Sequence, residues 1–253
     1  MRIFLKTEDE IILLRAASQL ATRALIEVGR HVVPRLALSH LRNKVVNAVM
    51  RTVPTESNSG KEALSSDTEF TFFVNGAYIE PSLEGECMLC EGDWLTVNCW
   101  VCLDGYYSFG AHTFIVGSSQ DDEPLTSTLR DMLRQVVRRA SAGHSIKEMS
   151  RTVYSLHSHD PYVLQKTFGH GVGRNRVENP ILRMNPWVND TVLLKEGMCL
   201  VIALAFKHGR SHFIKPRLMH ESTFHNPFVP FGTTVVVRPG RPEILTSFET
   251  IVK

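Results

Sequence analysis

The chain has 253 residues, of which 43% are hydrophobic, and a formal net charge of +2 at pH 7. A chain of this size and composition can bury a substantial core as one α/β unit, so we expect a single domain over residues 1–253. No run approaches the roughly 18 apolar residues of a membrane-spanning helix. We therefore expect neither a membrane-spanning segment nor a membrane partner. The small net charge is far from the basic balance of a dedicated nucleic-acid domain.

The first predicted elements are two helices. Thr7 and Glu10 form a capping-box pair, which predicts a helix that continues with apolar residues at helical spacing to Leu25. Leu36–Val53 is predicted to be a second helix. The polar stretch Pro54–Asp67 contains the sequence Ser-Asn-Ser-Gly and is predicted to be a mobile loop.

Strands and two further helices follow in the rest of the chain. A helix over Leu125–Ala142 is expected to end at Gly143, and Ser145 with Glu148 is expected to cap another helix that ends near Leu156. The predicted strands are Phe70–Val74, Trp94–Cys102, Tyr106–Val116, Val163–Thr167, Met198–Phe206, Phe213–Leu218 and Thr233–Arg238.

The most informative motif is Phe168–Arg174, which reads Phe-Gly-His-Gly-Val-Gly-Arg. It places His170 between two glycines, where backbone can approach a ligand closely because glycine has no side chain. This pattern is typical of an active-site strand. Alone it is weak evidence, and its value depends on the segments that accompany it.

Short segments in the same order along the chain match one known family: Phe4–Ile11, Leu14–Ala17, Glu91–Asp93, Asp104–Gly105, Thr113–Gly117, Phe168–Arg174, Leu194–Met198 and Glu243–Thr246. They resemble the short, type I methionine aminopeptidases of peptidase family M24. Glu178 and Pro180 resemble part of the loop that follows the family's histidine segment. The resemblance implies the α/β pita-bread fold, a curved antiparallel sheet with outer helices in two pseudo-symmetric halves.

The same resemblance implies that the catalytic centre has been lost. The family holds two divalent metals with two Asp, one His and two Glu, and these positions fall on Asn98, Phe109, His170, Ala203 and Gly232. The family's substrate-side histidines fall near Asn75 and on Val177. One imidazole and one neutral amide cannot neutralise two adjacent cations. We therefore expect a pseudoenzyme without metal or other cofactor, whose peptide cleft includes Asn98, Phe109 and His170.

The cysteines leave a rebuilt metal centre open as an alternative. Cys87 and Cys90 form one CxxC pair, and a single zinc ion could bind there. Cys99 and Cys102 form a second pair within a predicted strand, where residues three apart point to opposite faces. An active aminopeptidase would require a metal on His170 with Cys99, Cys102 or Cys199. Otherwise we expect free buried thiols, with Asn98, Trp100 and Cys102 on one packed strand face.

Basic residues form two groups that suggest RNA contact: Arg130, Arg134, Arg138 and Arg139 on a helix, and Lys207, Arg210, Lys215 and Arg217 around a loop. A solvated helix face is the alternative explanation. The function expected from the resemblance is a non-catalytic protein- and RNA-contacting factor, in ribosome assembly or near the nascent chain. We expect an intracellular, reducing compartment, either mitochondrial matrix or cytoplasm. A peptide-tail or histone-type binding module is a further alternative.

Overall fold

The structure, a computed structural model, describes residues 2–53, 67–117, 124–157, 163–164, 167–185, 187, 192–207 and 228–247. Within these ranges four α-helices flank a ten-stranded sheet in which every strand pair is antiparallel. The predicted α/β class, with an antiparallel sheet and flanking helices, is confirmed. No helix in the described part of the chain is both long enough and apolar enough to cross a membrane.

The first half contributes two helices, a short 3₁₀ turn at Pro81–Leu83 and four strands. They are α1 (Glu8–His31), α2 (Leu38–Thr52), β1 (Glu69–Val74), β2 (Ala77–Ile79), β3 (Trp94–Leu103) and β4 (Tyr106–Ile115). The predicted capping box is confirmed, because the Glu10 N–H donates to Thr7 Oγ1 at 3.3 Å and the Thr7 N–H donates to Glu10 Oε2 at 3.0 Å.

The second half repeats the order of two helices followed by strands. Its elements are α3 (Pro124–Arg138), α4 (Ile146–His157), β5 (Val163–Leu164), β6 (Thr167–Gly171), β7 (Glu178–Arg183), β8 (Cys199–Lys207), β9 (Phe228–Val236) and β10 (Glu243–Ile244). The second predicted cap is also confirmed. The Ser145 N–H donates to Glu148 Oε2 at 2.6 Å, and the Glu148 N–H donates to Ser145 Oγ at 3.2 Å.

The strands follow the order β2-β1-β3-β4-β9-β8-β6-β7, with β10 beside β9 and β5 beside β8. The two halves therefore join where β4 meets β9. One core cluster lies between α1, α2 and the first strands and includes Phe72 and Phe114. A second lies under α3 and α4 and includes Phe231. A third, with Phe109 and Val172, lies where the two halves meet. In all three clusters, burial of each large apolar side chain stabilises the fold by about 1.5–3 kcal/mol.

The helix predicted over Leu125–Ala142 ends earlier, at Arg138. The backbone N–H groups of Ala142 and Gly143 donate instead to the carbonyl oxygens of Arg238 and Leu194, at 3.0 Å each. Because an N–H group makes one good hydrogen bond, these tertiary partners replace the helical ones. The predicted end of the helix was therefore wrong.

The segment expected to form a loop after the histidine motif contains a strand, β7. Its Pro180 has no N–H to donate, but β7 lies at the edge of the sheet, where proline is tolerated. Strand β9 also begins five residues before the predicted Thr233, at Phe228. The mobile loop predicted before Asp67, the strand predicted at Phe213–Leu218 and residues 165–166 of the strand predicted at Val163–Thr167 lie outside the described residues.

Candidate functional site

The sheet register brings four of the predicted site positions together. Asn98 pairs with Ala111, Ala111 with Gly232, and Gly232 with Ala203, so that these residues form a row across β3, β4, β9 and β8. Phe109 lies two residues from Ala111 on β4 and therefore projects from the same face. His170 joins the group from β6, where it pairs with Val201, two residues before Ala203.

The ring of Phe109 fills the centre of this group. A Cβ atom placed on Gly232 would lie 2.7 Å from Phe109 Cε1 and 3.1 Å from Ala203 Cβ, so the ring needs a glycine beside it. The Trp100 ring packs on the other side, with its centroid 4.8 Å from that of Phe109. Positions 109, 203 and 232 thus contribute packed carbon where carboxylates would be needed for metal binding.

The backbone at Phe109 is held by hydrogen bonds to the hydroxyl groups of two threonines. The Thr234 hydroxyl accepts from the Phe109 N–H and donates to the Phe109 carbonyl oxygen, each at 2.9 Å. The Thr246 hydroxyl donates to the same carbonyl oxygen at 3.0 Å. All three residues are buried, so these hydrogen bonds are shielded from water and fix where the ring lies.

His170 is half-buried, and its protonation follows from its contacts. Nδ1 lies 2.9 Å from the Gly171 carbonyl oxygen, which can only accept, so Nδ1 carries the hydrogen. Burial lowers the pKa of His170 below its ordinary value, against the opposing effect of that hydrogen bond. The neutral ring then presents Nε2 as an acceptor. It stacks on Trp100, with centroids 6.1 Å apart and planes inclined by 8°.

Asn98 has a buried side-chain oxygen, Oδ1, with no hydrogen-bond partner among the described residues. An unsatisfied buried acceptor costs about 1–3 kcal/mol. Asn98 Oδ1 and His170 Nε2 are the two atoms of this group that could bind a metal ion, and both side chains are neutral. Two adjacent divalent cations require bridging carboxylates, so these residues do not fit the dinuclear metal centre of the family.

Asn75 and Val177 occupy the family's substrate-side histidine positions, but neither belongs to the group around Phe109. Asn75 has a φ of 52° and is followed by Gly76 with a φ of 82°, which places both in the turn between β1 and β2. Its amide donates to Asp93 Oδ1 and accepts from the Trp94 N–H, each at 2.9 Å. Val177 is 58% exposed. Asn75 therefore stabilises a turn, in which its side-chain amide both donates and accepts a hydrogen bond.

Arg176 is the residue at this site that sequence reasoning missed. Its guanidinium lies over the rings of Trp100 and Tyr107, 5.6 and 5.8 Å from their centroids. Nη1 donates to Glu69 Oε2 at 2.7 Å, and Nη2 donates to the Asp67 carbonyl oxygen. The hydrogen bond from Arg176 lowers the pKa of Glu69. No local pattern could have indicated this, because its partners lie on distant strands.

The cysteines are free thiols, and Cys99, Cys102 and Cys199 are buried as expected. Cys90 is exposed and Cys87 only partly buried, because they lie near a surface turn, so the expectation of buried thiols was wrong for this pair.

The prediction that Cys99 and Trp100 lie on opposite faces of their strand is confirmed. Cys99 lies in the core under α1 and α2, whereas Trp100, on the opposite face of β3, contacts His170. The suggestion that His170 and Cys99 share a metal ion was therefore wrong, because the two side chains lie on opposite faces of the sheet. Burial raises the pKa of the Cys99 thiol, and raises that of Cys199 to about 12. Within the described ranges, no group of three or more His, Cys, Asp or Glu side chains is arranged to hold a metal ion.

The predicted basic helix face is only partly present. Arg130 is 8% exposed, so including it in a contact surface was wrong: it lies on the inner side of α3. Arg134 donates to Asp131 at 2.7 Å. Arg138 is the last helical residue, Arg139 follows the helix, and both are exposed. Lys207 ends β8, and Arg210, Lys215 and Arg217 lie outside the described residues.

Comparison with known proteins identifies the family. Residues 12–239 match the sequence profile of metallopeptidase family M24. The chain belongs to metallopeptidase family M24. It is 26% identical over 255 residues to a methionine aminopeptidase of Borreliella burgdorferi, covering 97% of this chain and 98% of the relative. It is 29% identical over 220 residues to a methionine aminopeptidase of Helicobacter pylori, covering 83% and 85%.

A solved methionine aminopeptidase structure shares the fold. The crystal structure of methionine aminopeptidase from Thermotoga maritima superposes with a TM-score of 0.77 at 21% identity, over 97% of this chain and 100% of that chain. This likeness confirms the predicted pita-bread fold. The M24 fold is thus retained in a chain whose row of site positions reads Asn98, Phe109, Ala203 and Gly232 beside His170.

Proposed function

We propose that this M24 protein is catalytically inactive and acts as a protein- and RNA-contacting factor in ribosome assembly or nascent-chain association. The observation that carries the first part is the Phe109 ring, which fills the space beside Gly232 and Ala203. A dinuclear hydrolase needs metal-bound water whose pKa falls to about 7, and hard anionic ligands that hold both cations. The positions at this row supply one amide oxygen, one imidazole and apolar carbon.

The inactivity is tested by an aminopeptidase assay and elemental analysis of the same purified sample. We expect no methionine release from Met-initiated tripeptides with added Mn²⁺, Co²⁺ or Zn²⁺, and no stoichiometric metal. The Borreliella burgdorferi methionine aminopeptidase, assayed in parallel, provides the positive control. Methionine release that is abolished by His170→Ala would overturn the proposal.

The contact role is supported by the exposed cations Arg138 and Arg139 at the end of α3. Arginine side chains bind phosphate oxygens well, and such contacts weaken as salt rises. We propose a ribosomal subunit or an assembly intermediate as the partner, with rRNA as the contacted polymer. The proposed compartment is intracellular and reducing, either the mitochondrial matrix or the cytoplasm.

This role is tested by co-sedimentation of the purified protein with ribosomal subunits at low and high salt. We expect binding that weakens with salt and is lost in a double Arg138→Glu, Arg139→Glu variant. Arg51→Glu, an exposed arginine in the last turn of α2, is the matched control and should bind normally. Binding that ignores both salt and these charges would instead indicate a peptide-tail or histone-type binding module.

The second candidate is an active metal-dependent aminopeptidase with a rebuilt centre, favoured by the relatives named methionine aminopeptidases. Its possible ligands are the available Nε2 of His170, the unpartnered Asn98 Oδ1 and the thiols of Cys102 and Cys199. This candidate requires one metal ion per chain and activity that falls in both Asn98→Ala and His170→Ala. If neither variant alters metal content, the candidate fails.

A further inference from the structure

Among the described residues, Arg176 forms hydrogen bonds and ring contacts that join the two halves of the molecule. It lies in the loop between β6 and β7, in the second half. Its partners Glu69, Asp67, Trp100 and Tyr107 all belong to the first half, on or beside β1, β3 and β4. One side chain therefore connects the loop between β6 and β7, here called the histidine loop, to the strands of the first half.

The contact covers the aromatic lining of the site. Trp100 lies between Phe109, His170 and the Arg176 guanidinium, which is the outermost of these groups, with 35% of its side chain exposed. A guanidinium stacks well on the face of a tryptophan ring. Moving Arg176 away would uncover the outer side of Trp100 and leave that ring free to move off the imidazole of His170.

The rest of the loop is anchored independently of Arg176. The Tyr107 N–H donates to the Gly173 carbonyl oxygen at 2.8 Å, and the Asn175 N–H donates to Glu178 Oε1 at 3.2 Å. Glu178 also binds Lys6 Nζ at 2.6 Å, in an ion pair whose two side chains are each 5% exposed. Both ends of the loop are therefore fixed, whereas the tip, Arg176 and Val177, is held only at the surface.

The ion pair at the tip is weakly held. Glu69 is 53% exposed, and exposed ion pairs contribute little to stability because water and salt screen them. The geometry points to Arg176 as a latch: its bonds to Glu69 and to the Asp67 carbonyl hold Trp100 against His170, and their release exposes the His170 ring to a ligand. This latch is a property of the site whether or not the protein is catalytic.

The latch is tested by the rate at which diethyl pyrocarbonate modifies His170, followed by peptide mass spectrometry. The reagent attacks an unprotonated imidazole nitrogen, so the modification rate of a neutral His170 reports access to Nε2 of its ring. We expect Arg176→Ala and Glu69→Gln to increase this rate several-fold, and Arg176→Lys to increase it less. Added salt should raise the rate in the wild-type chain but not in Arg176→Ala, where the ion pair is already absent.

Arg174→Ala is the matched control. Arg174 is on the same loop and stacks on Tyr106, with its guanidinium 4.8 Å from the ring centroid. It is Arg176, and not Arg174, that lies over Trp100. Its removal should leave the His170 rate unchanged. His112 has 0% exposure and should stay unmodified in every variant, which verifies that the fold is intact. An Arg176→Ala rate equal to wild type, or an equal increase in Arg174→Ala, would overturn the latch.

Discussion

Phe109 and Gly232 are complementary: the aromatic ring lies where any side chain at position 232 would begin. A Cβ atom there would be 2.7 Å from Phe109 Cε1, closer than carbon atoms normally approach. The two residues come from β4 and β9, the strands that join the halves of the molecule. The large side chain on one strand thus depends on the absence of a side chain on the other.

The first prediction is that Gly232→Ala destabilises the protein by about 1–3 kcal/mol, the usual cost of overpacking a buried site. Urea unfolding monitored by circular dichroism would measure the change. A double variant with Phe109→Leu should recover part of the loss, because a smaller side chain makes room for the new methyl group.

Gly85→Ala is the control for this substitution, since a Cβ atom at Gly85 meets nothing within 4 Å. Its free energy of unfolding should change by less than about 0.5 kcal/mol, as at other surface positions. If Gly232→Ala is equally neutral, the ring of Phe109 does not occupy that space in solution.

The second prediction concerns the buried ion pair between Lys6 and Glu178, whose atoms Nζ and Oε2 are 2.6 Å apart. Replacing Lys6 by Met leaves the Glu178 charge buried without its cation and should cost about 3–5 kcal/mol. Denaturant unfolding would measure this loss. Adding Glu178→Gln should restore much of it, because the uncompensated charge is then removed.

An exposed ion pair provides the comparison. Asp131 has 64% of its side chain exposed and accepts from Arg134, so Asp131→Asn should cost no more than about 1 kcal/mol. Equal losses in Lys6→Met and Asp131→Asn would mean that the Lys6 contact is solvated and does not fix the N-terminal segment to the histidine loop.

The third prediction separates the two contributions of Asn75. Asn75→Gly keeps a backbone that accepts the φ of 52° but loses the hydrogen bonds to Asp93 and Trp94, at a cost of about 1 kcal/mol. Asn75→Ala also loses the tolerance of a positive φ, which adds about 1–2 kcal/mol. Thermal or urea unfolding of both variants would show this order, and the reverse order would contradict the turn assignment.

The fourth prediction is a pH dependence that originates at His170. The pKa of His170 is lower in the folded protein than its ordinary value of 6.5. When the pH falls below 6.5, the unfolded chain therefore binds more protons than the folded one. The stability contribution is therefore fully present above pH 6.5 and is lost as the pH falls towards the folded pKa. Comparing the free energies of unfolding of the wild type and His170→Gln at pH 7.5 and 5.5 would measure it.

An NMR titration of the His170 ring would give the pKa directly. Trp100→Ala should raise that pKa towards its ordinary value, because removing the stacked ring lets water reach the imidazole. A wild-type pKa at or above 6.5 would contradict the burial argument.

Much of the fold could be predicted because patterns of neighbouring residues indicate where helices and strands begin. The capping boxes at Thr7 and Ser145 indicated where two helices begin, and each involves side chains three residues apart. The end of α3 could not be predicted in this way. It depends on hydrogen bonds from Ala142 and Gly143 to Arg238 and Leu194, which are distant in the chain.

The sequence by itself determined the family, the helix starts and the absence of carboxylates at the aligned metal positions, because residue identity and order are sufficient for those conclusions. Only the tertiary structure decided how the space was refilled, with Phe109 between Gly232 and Ala203 and with Arg176 over Trp100. It also showed that Arg130 is buried and that Asn75 belongs to a turn. Packing and ion pairing between distant strands depend on register and loop path, which no local pattern encodes.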